Sequence, residues 1–190
     1  MGRLLLVRHG ESEGNRDRLF TAHPDVPLTE AGQVQARRAG ERLMAGFAPA
    51  RVVSSPFLRA RQTAAIIGEV LGLAVEIEPD LHERSYGTFA GQSYEAIRGL
   101  YDHTTYWTWR PPEGETLLEV AARAGAALDR LARAAPQTEV VVVSHGAVMQ
   151  ALWVHATRAP RAALVVPNAG LVVIEHREGE YLGARLVDER

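Results

Sequence analysis

Two histidines in this chain each follow a run of apolar residues. His9 comes after residues 4–7 and Arg8, and His145 comes after residues 140–143 and Ser144. Short apolar runs of this kind are typical of buried strands in a parallel sheet. Ligands bind beyond the carboxyl ends of such strands. We therefore expect both imidazoles and Arg8 to converge on one site at the edge of a sheet.

Two further charged residues could join this site. Arg59 lies in the first turn of a helix predicted to follow a strand, where free N–H groups and the helix dipole attract anions. From the sequence alone, a surface ion pair explains Arg59 equally well. Glu83 lies in a predicted loop, residues 79–87, and could reach the site or be merely solvated.

The chemistry that suits these residue types is phosphoryl transfer. Two arginines and two histidines are costly to crowd together unless an anion lies between them. A phosphoryl group accepts bidentate arginine contacts, and its charge is spread over its equatorial oxygens in the transition state. A neutral imidazole can attack phosphorus through its bare nitrogen. One histidine would attack, the other would stay near the transferring oxygens, and Glu83 would protonate the leaving alkoxide.

Composition excludes several other chemistries. The 190 residues include no cysteine, which rules out disulfides, thiolate zinc sites and a cysteine nucleophile. All 21 basic residues are arginine, so a Walker-type nucleotide site is excluded and any anion site must use arginine, histidine or backbone N–H groups. The histidines lack the close spacing of metal ligands. We expect no metal and no other cofactor.

The net charge and the hydropathy pattern limit the classes of partner that the protein can bind. A net charge of −2 gives no general attraction to nucleic acid. No apolar run approaches the ~20 residues of a membrane span, and the first strand begins too early to follow a signal peptide. We expect a cytoplasmic protein that binds a small phosphorylated substrate, without nucleic acid or membrane partners, and we leave open a homodimer.

The elements that must position the site alternate between strands and helices. This alternation predicts an α/β fold, with a mostly parallel sheet in a three-layer α/β/α sandwich and a C-terminal β-hairpin over residues 171–186. Serine and proline at 55 and 56 predict the start of a helix. The predicted helices cover residues 29–44, 55–71, 93–100, 116–134 and 146–156, the first capped by Thr29.

Two long connections are candidates for substrate contacts. Residues 11–27 form a polar loop, and loops of this length in compact domains are often functional. Asn15 and Thr21 could face a ligand there or make local turn hydrogen bonds. Residues 101–110 concentrate tyrosine and tryptophan, with Arg110 at the end. This segment is either a small cap over the site or ordinary aromatic packing.

The sequence around His9 resembles a known family signature. Leu-Val-Arg-His-Gly-Glu-Ser, residues 6–12, is similar to the signature of the histidine phosphatase superfamily, which has the phosphoglycerate mutase-like fold. Segments 25–32, 54–64, 81–87 and 143–146 resemble further motifs of that family in the same order. The resemblance therefore covers nearly the whole chain.

This resemblance implies a single histidine phosphatase domain over residues 1–190, with a small cap-like insertion at about 85–113. It implies that His9 becomes phosphohistidine and that Glu83 is the proton donor. Arg8, Arg59 and His145 would form the phosphate pocket. Further residues match positions that often touch substrate or phosphate in the mutases, namely Asn15, Thr21, Arg84, Tyr86 and Gly146.

Within the family, mutases and phosphatases share the first half-reaction. Residues 83–87 and the Thr21 loop lean toward a mutase. Tyr94, however, stands where cofactor-dependent mutases usually have lysine, and Arg110 stands alone where they tend to have an adjacent pair. Losing one charge-assisted contact costs about 1.5–3 kcal/mol. We therefore favour a phosphomonoesterase whose leaving group has some apolar surface. The alternatives are a cofactor-dependent phosphoglycerate mutase (an isomerase) and, more remotely, a non-catalytic phospho-ligand-binding module.

Overall fold

The fold is built on one six-stranded sheet. A computed structural model of the chain describes residues 1–21, 23–159 and 164–187. The strands are β1 (Gly2–Arg8), β2 (Pro49–Ser54), β3 (Val75–Ile77), β4 (Glu139–Ser144), β5 (Leu171–Arg177) and β6 (Glu180–Val187), in the spatial order β3-β2-β4-β1-β5-β6. The pairs β3-β2, β2-β4 and β4-β1 are parallel, whereas β5 and β6 are added in antiparallel pairings. The predicted mostly parallel sheet with a C-terminal hairpin is confirmed.

Helices cover both faces of this sheet. They are α1 (Glu13–Arg16), α2 (Glu30–Gly46), α3 (Leu58–Leu71), α4 (Leu117–Ala134) and α5 (Gly146–Thr157). Leu4 and Leu6 face the core formed with α4 and α5, whereas Leu5 and Val7 face the core formed with α2 and α3. Successive side chains of a strand point to opposite faces, so one apolar run serves both cores. The three-layer α/β/α sandwich is thus confirmed.

The register between β1 and β4 aligns the two histidines. Arg8 pairs with Ser144, the last residue of each strand. His9 and His145 follow immediately, and the backbone N–H of His9 donates to the carbonyl of Ser144 at 2.9 Å. Two residues far apart in the chain are therefore held at the same edge of the sheet.

One predicted helix start is wrong. Helix α3 begins at Leu58, after Phe57, rather than at Ser55 and Pro56. Ser55 is fully buried, and its hydroxyl contacts the imidazole of His145 instead of capping the helix. Arg59 nevertheless stays in the first turn of α3. A serine followed by proline favours a helix start locally, but tertiary contact with a buried imidazole decides the outcome here.

Two other segments differ from their predictions. Residues 93–100 contain a short 3₁₀ turn, Tyr94–Ile97, instead of an α-helix. The loop 11–27 contains the single-turn helix α1, which Ser12 and Asn15 cap reciprocally. Among the residues that the structure describes, no helix combines the length and the hydropathy needed to span a membrane.

Candidate active site

His9 is buried at the end of β1, and its two ring nitrogens have different partners. Nδ1 lies 2.7 Å from the carbonyl oxygen of Gly10, and Nε2 accepts the Nε–H of Arg59 at 3.2 Å. Both contacts require the neutral tautomer with the proton on Nδ1. Burial lowers the pKa of His9 well below its ordinary value, and the charges of Arg59 and Arg8 lower it further. Nε2 is therefore unprotonated, and it can act as a nucleophile once its lone pair is released from the Arg59 Nε–H.

Arg59 is positioned by backbone carbonyls as well as by His9. Its Nη1 donates to the carbonyl of His23 at 3.2 Å, and its Nη2 donates to the carbonyl of Thr21 at 2.8 Å. A guanidinium carries five N–H groups, so after these three bonds one proton on each Nη has no acceptor among the described residues. Those two protons form a fork suited to the oxygens of a phosphoryl group.

His145 lies beside His9, with 5.1 Å between the ring centroids. Its Nε2 is 2.7 Å from Ser55 Oγ, while its buried Nδ1 has no hydrogen-bond partner among the described residues. Ser55 Oγ already accepts the backbone N–H of Phe57 at 3.3 Å, so the hydroxyl proton is free to be donated to Nε2. When the hydroxyl donates to Nε2, the imidazole proton lies on Nδ1. Burial, followed by Arg59 and His9, lowers the pKa of His145 and keeps the ring neutral.

Arg8 completes the positive side of the site. Its Nη1 donates to the carbonyl of Val166 at 2.7 Å, and its buried Nε has no acceptor in the described part of the chain. The glycine at 146 lies alongside this guanidinium, because a Cβ there would be 3.6 Å from Arg8 Cζ. An anion in front of His9 would supply an acceptor for Arg8.

A cavity of about 310 Å³ opens in front of these groups. Besides Arg8, His9 and Arg59, it is lined by Glu83, whose Oε1 accepts the backbone N–H of Arg84 at 2.8 Å. Four of the predicted substrate-contacting residues also line it, namely Asn15, Thr21, Tyr86 and Gly146. The structure thus brings nine of the ten predicted site residues together, counting His145 behind His9.

Aromatic side chains form the outer wall of the cavity. Phe20 lies 4.3 Å from Tyr86 and 4.8 Å from Tyr94 between ring centroids. Tyr101 also lines the cavity and packs on Trp109 at 4.9 Å. The loop after α1 and the segment 85–113 therefore meet over the site through ring contacts. A leaving group would rest against these rings.

Asn15 and Thr21 act in different ways. Asn15 Oδ1 accepts the N–H of Ser12 and the side-chain amide of Asn168, which leaves its own amide group to donate into the cavity. Thr21 holds Arg59 through its backbone carbonyl. Its methyl group packs so tightly on Gly14 that a Cβ at that glycine would overlap it. This loop therefore combines local packing contacts with side chains that line the cavity.

Arg84 is the predicted site residue that the structure does not bring to the cavity. It is fully buried, and it donates from Nε to the carbonyl of Glu115 and from Nη2 to that of Trp109, both at 2.8 Å. Its guanidinium also lies 5.2 Å from the ring of Tyr86 and 5.4 Å from that of Trp109. Arg84 therefore fastens the aromatic segment to the loop that carries Glu83.

Two positioning residues were missed by sequence reasoning. Ser55 contacts His145, and Asn168 donates to the carbonyl of His9 at 3.0 Å as well as to Asn15. Ser55 had a local explanation as a helix cap, which concealed its long-range contact. Asn168 follows a proline, a pattern that indicates only a turn.

These features agree with a known family. The sequence profile of the Histidine phosphatase superfamily (branch 1) matches residues 4–189. The chain belongs to this superfamily, and the resemblance inferred from its motifs is confirmed.

The proteins that this chain resembles include some named as phosphatases and others named as mutases. The chain is 36% identical over 152 residues to the Uncharacterized phosphatase PhoE of Bacillus subtilis, covering 80% of this chain and 76% of that protein. It is 35% identical over 161 residues to the 2,3-bisphosphoglycerate-dependent phosphoglycerate mutase of Methylobacterium radiotolerans, covering 78% and 76%. A solved mycobacterial glucosyl-3-phosphoglycerate phosphatase with VO3 superposes with a TM-score of 0.84 at 30% identity, covering 97% and 96% of the two chains.

Proposed function

We propose that this protein is a phosphomonoesterase that hydrolyses a small phosphorylated metabolite through a phosphohistidine on His9. One observation carries the proposal. Among the described residues that line the cavity, the cationic side chains are Arg8 and Arg59, and both flank His9. The site therefore offers positive charge for one phosphoryl group, with aromatic rings where the rest of the substrate would lie.

In the first step, Nε2 of His9 attacks phosphorus in line as the bond to the leaving oxygen breaks. The free protons of Arg59, the guanidinium of Arg8 and Nδ1–H of His145 stabilise the charge on the equatorial oxygens. Glu83, in its protonated form, gives a proton to the leaving alkoxide. The alcohol departs and the phosphoryl group remains on His9.

In the second step, a water molecule replaces the alcohol. The Glu83 carboxylate accepts a proton from this water as its oxygen attacks phosphorus. The bond from phosphorus to Nε2 breaks, inorganic phosphate forms, and His9 returns to its neutral state. Retention of the proton on Nδ1 by the Gly10 carbonyl keeps the same tautomer throughout the cycle.

Hydrolysis is favoured over mutase chemistry by the placement of the other arginines. A bisphosphate or a phosphoglycerate carboxylate needs further positive charge near the leaving-group side. Arg84 is buried away from the cavity, and Arg110 is held by the carbonyl of Gly114 and the carboxylate of Glu119. In their place the segment 85–113, which we propose acts as a cap, supplies Tyr86, Tyr94 and Tyr101.

The second candidate is a phosphoglycerate mutase, because relatives carrying that name match most of the chain. The two reactions separate in one assay. We expect steady phosphate release from aryl and alkyl phosphates, with a trapped phosphoenzyme that His9→Ala lacks. The protein would instead be a mutase if it interconverts 2- and 3-phosphoglycerate, requires 2,3-bisphosphoglycerate to do so and releases little phosphate. Absence of any phosphoenzyme would contradict both.

A further inference from the structure

A second cavity lies between helix α2 and the segment of residues 167–169. Its volume is about 650 Å³, and the helix lines it with Gln35, Arg38 and Arg42. The spacing of three and four residues places these side chains on one face. The opposite wall is formed by Pro167, Asn168 and Ala169. No carboxylate lies among these lining residues.

The two arginines of this cavity lack acidic partners. Within the described ranges, Arg38 makes no ion pair, and Arg42 donates from Nη2 to the carbonyl of Ala169 at 2.8 Å. Arg42 Nε is shut off from solvent and has no acceptor there. Like charges four residues apart on a helix repel each other. The neighbouring Arg37, by contrast, pairs with Glu69 at 3.3 Å.

The remaining polar group on the helix side is also a donor. Gln35 uses its Oε1 to accept the backbone N–H of Glu11 at 2.8 Å, which leaves its amide group to donate. The amide nitrogen of Asn168 is already engaged with His9 and Asn15 on the active-site side. The helix wall therefore presents two cations and an amide donor.

We propose that this cavity binds a small oxyanion with two or more negative charges, carried by carboxylate or phosphate groups. Such a ligand would offset the repulsion between the guanidinium groups of Arg38 and Arg42, which both line the cavity. Arginine suits this role because its planar fork matches both anion types. The site is distinct from the catalytic cavity but shares Asn168 with the scaffold of His9. The inference does not depend on which reaction His9 performs.

A competing occupant is the chain's own C-terminus. Val187 pairs with Leu171, two residues beyond Ala169. Asp188 and Glu189 follow Val187 in the sequence and lie outside the described residues. Their carboxylates are an alternative source of negative charge, so the experiment must separate them from a free ligand.

The test uses the full-length protein with its catalytic site occupied by one equivalent of orthovanadate. Citrate and pyrophosphate are titrated separately, with calorimetry for stoichiometry and ¹⁵N spectra of the arginine Nε–H and asparagine amide groups. We expect one saturable site per chain that shifts the signals of Arg42 and Asn168. Arg38→Gln and Arg42→Gln should each weaken binding by about tenfold or more. Arg37→Gln, the matched control on the same helix, should leave it unchanged.

Saturation by citrate alone or pyrophosphate alone supports the site and identifies the preferred anion. Equal weakening by all three arginine substitutions would mean diffuse attraction and would overturn the proposal. Anion binding that appears only in the variant carrying Asp188→Asn and Glu189→Gln would assign the cavity to the C-terminal carboxylates and would overturn the proposal. The absence of binding in both this variant and the wild type would also overturn it. Thermal melts establish whether each variant is folded. If Arg42→Gln is unfolded, the binding measured with Arg38→Gln still tests the proposal.

Discussion

Ser55 Oγ lies 2.7 Å from Nε2 of His145, joining the residue after β2 to the residue after β4. When Ser55 donates in this contact, the proton of the neutral ring lies on Nδ1, where His145 could donate it to a phosphoryl oxygen. The buried Nδ1 has no partner among the described residues and lies in a ring packed against His9. We expect Ser55, which is not among the residues that line the catalytic cavity, to decide whether the second imidazole is a donor or an acceptor.

Ser55→Ala should lower the rate of phosphoenzyme formation by about tenfold, the typical worth of one hydrogen bond, with little change in KM. The reason is that the His145 tautomer is no longer fixed. Ser55→Thr retains the hydroxyl and should restore most of the rate. The direct measurement is the pair of ¹⁵N chemical shifts of His145. Unchanged shifts in the alanine variant would show that another group sets the tautomer.

Arg59→Gln should move the acid limb of the kcat/KM profile to higher pH. His9 acts in its unprotonated form, and its pKa is lowered by burial and then by the Arg59 charge. Removing that charge lets the ring protonate more readily, so activity is lost at a less acidic pH. In the wild type this limb should lie below the ordinary histidine pKa of about 6.5.

The matched control for this substitution is Arg61→Gln, an exposed arginine on the same helix. The kcat/KM profile of Arg61→Gln should coincide with that of the wild type. An NMR titration should give a higher pKa for His9 in Arg59→Gln than in the wild type, and an unchanged pKa in Arg61→Gln. The position of the limb is the relevant result, because Arg59→Gln also loses phosphate binding and will be slow at every pH. A limb that does not move would mean that Arg59 does not lower the pKa of His9, and that burial and Arg8 account for its shift.

The sequence predicted which residues meet at this site better than it predicted the contacts that hold them in place. Apolar runs that end at His9 and His145 specify two parallel strands, and parallel strands bring their carboxyl ends together. The position of this sheet edge does not depend on how individual side chains pack. The position of Arg59 in the first turn of α3 was predictable because local signals locate the start of a helix to within a few residues.

Long-range contacts were not predictable in the same way. Ser55 and Asn168 look like ordinary cap and turn residues, and their partners lie 90 and 159 residues away. Arg84 resembles a substrate ligand in the motif, yet its side chain turns inward to two carbonyls. Which way an arginine points depends on what packs beside it, and here that is an aromatic segment whose structure the sequence left open.

Glu83→Gln should separate substrates by their leaving groups. Without the carboxylic acid, alkyl phosphates need to expel an unprotonated alkoxide, and their turnover should fall by about 10²–10⁴-fold. Aryl phosphates such as p-nitrophenyl phosphate have stable leaving groups and should lose far less in phosphoenzyme formation. Single-turnover rates on both substrate types measure this step. Equal losses on the two would indicate that Glu83 is structural.

Arg84→Met should lower both the stability of the protein and its activity. The substitution leaves the carbonyls of Glu115 and Trp109 without their buried donor, at a cost of about 1–3 kcal/mol for each unsatisfied group. The aromatic segment should loosen, raising KM for substrates with aryl leaving groups. Urea unfolding and steady-state kinetics together test this. A loss of activity without a loss of unfolding free energy would instead make Arg84 a substrate ligand.

His176 should give the folded state a pH dependence that is independent of catalysis. It is fully buried in β5, and neither ring nitrogen has a hydrogen-bond partner among the described residues. Burial and then the charge of the N-terminus lower its pKa. The unfolded chain therefore binds this proton more readily than the folded one. The stabilising contribution is complete above the unfolded pKa of about 6.5 and is lost as pH falls toward the folded value.

His176→Leu should remove this dependence, because leucine fills similar space and binds no proton. The slope of unfolding free energy against pH below 6.5 should decrease by up to about 1.4 kcal/mol per pH unit, the limit for one proton. At pH 7.5 the variant should be as stable as the wild type or more so, since no unpaired ring nitrogen is buried. Urea unfolding at pH 7.5 and 5.5 measures both effects. His103→Gln, at an exposed position, serves as control, and an equal slope in His176→Leu and wild type would show that His176 does not titrate on unfolding.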